Sequence, residues 1–550
     1  MRDGLRGLAR AWAVILRRGP GQVQFWFIAL AVGIAAGTAA VLFRLGIMVL
    51  QSTVYGSTDV RTIHSFAATL PWWLLVLVPT VGGLVVGLIL HRFTNDARVR
   101  SVADVIEGAA LKEGRVERRE GVASAAASLI TLSTGGSTGR EGPVVHIAGM
   151  ISSWVSDRIK ADGVTGRDLM GCAVAAAVSA SFNAPIAGTL FALEVILRHY
   201  AVHAFAPIVI ASVAGTVISR LVFGDIAEFD VTGEESIGFY VELPAFLLLG
   251  IICGLVATAM MRAIFWTEDF GNVVLERTRL PRWLRPAAAG ALLGVIAIWF
   301  PHIIGVGYET TSVALMGGLG FAEAVLFVAV KVAAVAITMG GRMGGGVFSP
   351  SLMVGALTGL AFGVVAVGIF PEVSGSQTLY ALAGMGAVAA AVLGAPISTT
   401  LIVFELTGDW QTGLAVMVAV STSTAIASRA VDRSFFLTQL ERRGVRLAAG
   451  PQAYLLSIHS AAVLMRGKDS PRAASVAACE AMVEQGIWLE PQDTLEVAMP
   501  IFERDGHAFL PVLSRTRGEK EPELLGAVFH VDALSAYNRA LAETAEEEHS

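Results

Sequence analysis

Asn183-Ala-Pro-Ile-Ala-Gly-Thr-Leu-Phe-Ala-Leu-Glu194 aligns without a gap on Gly394-Ala-Pro-Ile-Ser-Thr-Thr-Leu-Ile-Val-Phe-Glu405. Two apolar stretches resemble one another in content by chance. Ala-Pro-Ile, then Thr-Leu, then a closing glutamate at one spacing is the mark of a repeat. Upstream of each copy lies a glycine-rich break, Gly135 to Pro143 in the first half and Gly340 to Pro350 in the second. Matching broken helices in two halves signal a transporter built on a pseudo-two-fold, with its site where the breaks converge. The halves run from about 21 to 223 and from about 243 to 443, inside a membrane region of 21–443.

Composition fits this. Of 550 residues, 54% are hydrophobic and only 15% charged, against roughly 25% charged in soluble domains. The chain is an integral membrane protein, and its alanine, valine and leucine favour helices over the period-2 alternation of a barrel. The 59 glycines suit close helix packing in lipid. Fourteen apolar stretches lie between 24–50 and 412–428, several too short for the roughly 20 residues of a full crossing. Cys172, Cys253 and Cys479 stand in unlike contexts, so neither a disulfide framework nor a zinc site is expected. No cofactor and no nucleic-acid partner is expected.

The first break holds the chemistry. Gly139-Arg-Glu-Gly-Pro143 interrupts the run from Leu132 to Met150, which is otherwise a membrane segment. An ionisable group at that depth is a functional-site hypothesis by default. Glycines and a proline free the backbone beside Glu141, and a helix N-terminus opened there is an anion site. The competing reading is a buried ion pair with Arg140. Gly344, Gly345 and Gly346 repeat the logic, turning amides near Val347 and Phe348 towards an anion, with Pro350 in the first turn of the next helix. Here the competing reading is helix packing by small residues. His146, one turn after Glu141, reads as packed and neutral or as titrating. Lys331 and Arg342 flank the second break, raising the local potential or pairing with Glu405 or carbonyls.

Loop charge gives orientation. His91 to Glu120 and Glu276 to Arg285 are basic and read as cytoplasmic; Gly224 to Glu242 is acidic and reads as external. Both termini then face the cytoplasm of a plasma or inner membrane. Residues 1–20 read as an amphipathic interfacial helix on lipid, or as a plain basic flank. Beyond about 450 charges return, leaving room for one small domain before an acidic tail at 544–550.

Together Gly139-Arg-Glu-Gly-Pro143, Phe182-Asn-Ala-Pro185 and Gly346-Val-Phe-Ser-Pro350 resemble the CLC chloride channels and proton/chloride exchangers. Gly305-Val-Gly-Tyr308-Glu and Phe404-Glu-Leu-Thr-Gly-Asp409 are further landmarks of that family, in the expected order. The resemblance implies an all-α inverted-repeat bundle of about 18 uneven helices. It also implies a homodimer with one pore per subunit and chloride as the ion. It places Glu141 at the gate, and amides near Glu141, Gly142, Val347 and Phe348 around the anion. Two inner ligands depart from the pattern. Of the Gly-Ser-Gly-Ile-Pro motif only Ser101 survives, within Arg100-Ser-Val-Ala-Asp104. The coordinating tyrosine is Phe436, which has no hydroxyl to donate. Exchangers place a proton-transfer glutamate where this chain has Val195, while Glu194 matches a separate structural glutamate. Residues 450–543, from Leu489-Glu-Pro-Gln-Asp-Thr-Leu495 through Asp532-Ala-Leu534, resemble a single CBS motif, a β-α-β-β-α unit. It reads as a dimer-stabilising cap or a nucleotide site.

These readings point to a channel-type or weakly proton-coupled chloride pathway and not to an enzyme. Proton/chloride antiport is the alternative. A reading from another class makes the CBS-like tail a ligand-sensing regulator on a membrane anchor.

Overall fold

The computed structural model describes residues 21–56, 63–200, 202–225, 241–279, 281–407, 410–431, 433–445, 447, 456, 459–514 and 523–549. The helix expected at 1–20, most of the acidic loop (226–240), and Gly408 and Asp409 of the last landmark lie outside the described residues.

Among the described residues, nine α-helices precede the acidic loop. They are α1 (Gln22–Tyr55), α2 (Ile63–Ala67), α3 (Trp72–Phe93), α4 (Val102–Leu111), α5 (Arg118–Ser133), α6 (Glu141–Ile159), α7 (Gly163–Phe182), α8 (Pro185–Phe191, running on as a π-helical turn Ala192–Leu197) and α9 (Val202–Phe223). Between the loop and residue 441 nine are described: α10 (Leu243–Thr278), α11 (Arg285–Trp299), α12 (Tyr308–Leu315), α13 (Phe321–Gly340), α14 (Phe348–Ile369), α15 (Gln377–Leu393), α16 (Pro396–Thr407), α17 (Trp410–Ala430) and α18 (Phe435–Glu441). Seven helices among the described residues are long and apolar enough to cross a membrane. The longest, α1 and α10, have 34 and 36 residues. At 1.5 Å per residue each is about 50 Å long, more than the roughly 30 Å of a hydrocarbon layer.

By order and length the helices form eight pairs: α1 with α10, α3 with α11, and so on to α9 with α17. Only α2 and α18 stand outside this scheme. The repeated stretch opens on the left-handed C-caps of α7 and α15, Asn183 (φ 57°) and Gly394 (φ 70°). That explains why asparagine aligns with glycine there. Helices α7 and α15 are buried on all sides over most of their length, as a helix apolar all round must be. Small residues let neighbours approach closely. A Cβ on Gly215 of α9 would lie 2.2 Å from Ala176 O of α7, and one on Gly359 of α14 would lie 2.0 Å from Tyr380 O of α15.

Beyond α18 lie α19 (Ala461–Leu464), β1 (Arg466–Gly467), α20 (Val476–Glu484), α21 (Leu495–Asp505), β2 (Phe509–Ser514), β3 (Glu523–Phe529) and α22 (His530–His549). The sheet is antiparallel in the order β1-β3-β2, and Leu489 joins Val512 through a parallel bridge. Leu489, Leu495, Phe502, Leu510, Val512 and Val528 form a small core of their own. Arg466 on β1 closes the sheet edge by a double bond to Asp532 (2.7 and 2.9 Å). The acidic run at the end continues α22 to His549, and alanine and glutamate are strong helix formers. The short helices α4, α12 and α18 are the other elements without an apolar signal in the sequence.

Candidate anion-binding site

Glu141 opens α6 and Phe348 opens α14, each with a proline two residues further on. The breaks before them clasp each other. Gly139 N–H donates to Gly346 O at 2.7 Å, and Gly346 N–H to Gly139 O at 2.8 Å. Thr138 Oγ1 donates to the same Gly346 carbonyl at 2.9 Å. Gly345 needs to be glycine twice over: its φ is +114°, and a Cβ would lie 2.1 Å from Thr138 Oγ1. The clasp brings two helix N-termini, one from each repeat, to a single point inside the protein. Each leaves first-turn N–H groups without an intrahelical partner and a partial positive charge.

Glu141 is 2% exposed, and its carboxylate reaches across to α14. Ser349 Oγ donates to Oε1 at 2.5 Å, and Ser349 N–H points at Oε2 from 3.4 Å. The competing partner, Arg140, stays 4.0 Å away. Its Nη2 donates to Ser181 O at 2.9 Å, and its guanidinium lies over the Tyr308 ring. The carboxylate therefore sits at the N-terminus of α14, where a helix dipole attracts any anion. Gly142 and Val347 flank it. The Phe348 ring packs on Phe182 (4.7 Å) and Phe191 (5.9 Å), fixing the first turn of α14.

On the inner side, Ser101 caps α4 and is 9% exposed. Its N–H is consumed by Asp104 Oδ2 at 2.8 Å, so that amide is engaged within the cap. Phe436 lies in the first turn of α18, packed on α4. It is 4% exposed and meets Phe435 edge-on. Ser101 borders a cavity of about 250 Å³, to which α18 and the turn after it contribute Gln439, Arg442 and Arg443 rather than Phe436. Phe436 thus stays in the packing beside the inner mouth, because its turn faces the Phe265–Phe435 stack.

Val195 lies in the π-helical turn after α8, 5% exposed. A second cavity, of about 540 Å³, touches it and is lined by Glu194, Arg198, Ser428, Arg433 and Ser434 among others. His146 is buried, with Nδ1 lacking a hydrogen-bond partner and the ring against Gly121, which fits the packed reading. Lys331 is fully buried and donates to Ile303 O (3.3 Å) and Gly305 O (3.2 Å). Of the two expectations for it, pairing with carbonyls holds and pairing with Glu405 does not.

Glu405 is engaged elsewhere, in an arrangement the sequence reading missed. Its Oε1 accepts from Ile186 N–H (3.0 Å) and its Oε2 from Ala187 N–H (2.8 Å), capping α8. Glu194 caps α16 in the same way, accepting from Ile397 N–H (3.0 Å) and Ser398 N–H (2.8 Å). Each repeat caps the other. The signal was present in the sequence as a glutamate at the same repeat position in both halves.

Fold and site together define a membrane anion transporter with its candidate site where the N-termini of α6 and α14 meet. The chain belongs to the voltage gated chloride channel family, whose profile matches residues 82–428. It is 30% identical over 419 residues to the putative chloride channel protein ClcB-like of Ralstonia nicotianae, covering 76% of this chain and 96% of that one. It is 29% identical over 462 residues to the H(+)/Cl(-) exchange transporter ClcA of Cronobacter sakazakii, covering 82% and 96%. Among solved structures, it is similar to a slow cyanobacterial Cl-/H+ antiporter, with a TM-score of 0.66, 21% identity, and coverage of 76% of this chain and 97% of that one.

Proposed function

We propose that this chain conducts chloride through a pathway gated by Glu141, with weak proton coupling. One observation carries the reading: the Glu141 carboxylate is bound by Ser349 at the N-terminus of α14, the position most attractive to an anion. Protonated or displaced, the side chain leaves that position to chloride. The amides of Gly142, Val347 and Phe348 then become ligands. At the inner end Ser101 borders the path and Phe436 packs beside it, with one hydroxyl fewer than the family's usual pair. Chloride efflux from liposomes, with proton flux recorded alongside, tests the reading. Absence of chloride efflux from correctly folded protein overturns it.

Strict proton/chloride antiport is the second reading, and the cavity at Val195 favours it. Water there supplies a proton path without a titratable side chain at 195. The names of relatives fall on both sides of this choice.

In the tail, residues 450–543 act as a CBS-like cap. The Leu489 bridge followed by α21, β2, β3 and α22 supports this, since it follows the β-α-β-β-α order of that unit. With one such unit and Asp532 taken by Arg466, stabilising a homodimer is the better role for it than nucleotide binding. Both termini lie on the cytoplasmic side, with the basic loops.

A further inference from the structure

The inner cavity of about 250 Å³ has an unusual wall. Four arginines line it, Arg98, Arg342, Arg442 and Arg443, against two carboxylates, Glu268 and Asp269. The carboxylates are spoken for: Arg442 bonds Asp269, and Arg98 stands 4.0 Å from Glu268. Arg342 is left with two long contacts to neutral acceptors, Asp96 O and Asn272 Oδ1, each at 3.4 Å. Its Nε is buried with no hydrogen-bond partner. Arg443 bonds Asp104 through Nη1 at 3.0 Å, and its Nε is likewise buried and unpartnered. Two further guanidinium groups therefore border a cavity whose two carboxylates are already paired, and each keeps a buried Nε without a hydrogen-bond partner, which is costly.

We infer that this cavity is a binding site for a small inorganic oxyanion of the sulfate or phosphate type, held by Arg342 and Arg443 at the inner mouth. A guanidinium fork matches two oxygens of such an ion at once, which a spherical halide cannot exploit. The volume holds one small polyatomic ion. The cavity also borders Ser101 and Gly345, at the foot of the chloride path. An oxyanion seated there obstructs chloride entering from the cytoplasm. This consequence rests on the transport reading above; the site itself does not.

The test uses the full chain. Chloride efflux is measured with sulfate added to one face at a time, at matched ionic strength to remove simple screening. Sulfate should inhibit from one face only. Arg342→Gln should raise the half-inhibiting concentration about tenfold, the loss expected for a charge-assisted bond. Arg342→Lys, which keeps the charge but not the fork, should fall between. Calorimetric titration of detergent-solubilised protein with sulfate, with Arg443→Gln as a second variant, reads the site without transport. Equal sulfate sensitivity in wild type and Arg342→Gln, or equal inhibition from both faces, overturns the proposal. Protein that binds sulfate through Arg342 but moves no chloride overturns the transport reading and leaves this site standing.

Discussion

At the scale of single residues, the proposed gate rests on one carboxylate. Glu141 is buried, bonded to Ser349 and 4.0 Å from Arg140. Glu141→Gln keeps the shape and removes the charge, so the site at α14 stays available to chloride at every pH. Efflux should persist in this variant and lose its pH dependence, checked between pH 4.5 and 7.5 in liposomes. A folded Glu141→Gln protein with no efflux would remove Glu141 from the gate. Phe436 poses the opposite question, since it has no hydroxyl at the position where the family resemblance expects one. Phe436→Tyr adds a donor worth about 1.5–3 kcal/mol to a charged acceptor at best. Chloride affinity by calorimetry should rise, by about tenfold to a hundredfold at best. Unchanged affinity with a lower melting temperature would place the hydroxyl in the buried packing around Phe435, away from the ion.

Helices explain what could be read from the sequence and what could not. All fourteen apolar stretches became helices, because 3.6-residue elements in lipid announce themselves by hydropathy. The breaks at Gly139 and Gly346 were legible too, since glycine beside proline has few other meanings in a membrane span. The short helices α4, α12 and α18 were not. They are held by long-range packing, and a helix of seven to ten residues has no strong local signal. The mutual capping of α8 and α16 was half legible. The repeat put Glu194 and Glu405 at one position, but only the fold says that each crosses to the other copy. Replacing either glutamate by alanine strands two helix N–H groups, at about 1–2 kcal/mol each cap. Both variants should melt earlier in detergent. In Glu194→Ala/Glu405→Ala the losses should not add, since both caps hold the α8–α16 contact. Strict additivity would make the caps independent features rather than one two-fold device.

At the scale of the whole molecule, the question is whether protons and chloride share a route. In the proposed pathway chloride runs from the cavity beside Ser101 to the clasp of the two breaks. Protons reaching Glu141 need a separate way in, and the cavity at Val195 lies on the inner side of α8. Its wall offers Glu194, yet that carboxylate is committed to two amides of α16 and is poorly placed to carry protons. Val195 itself has nothing to titrate. What remains is water, which conducts protons only where it forms an unbroken file. A chloride gradient should therefore drive little uphill proton movement in reconstituted vesicles. Val195→Glu should raise it, because the cavity already provides the water that a new carboxylate needs. Both are read with a pH dye inside the vesicles and a chloride electrode outside. Proton pumping at fixed stoichiometry by the unaltered chain would show that water alone closes the gap between that cavity and Glu141. The antiport reading would then replace the weakly coupled one.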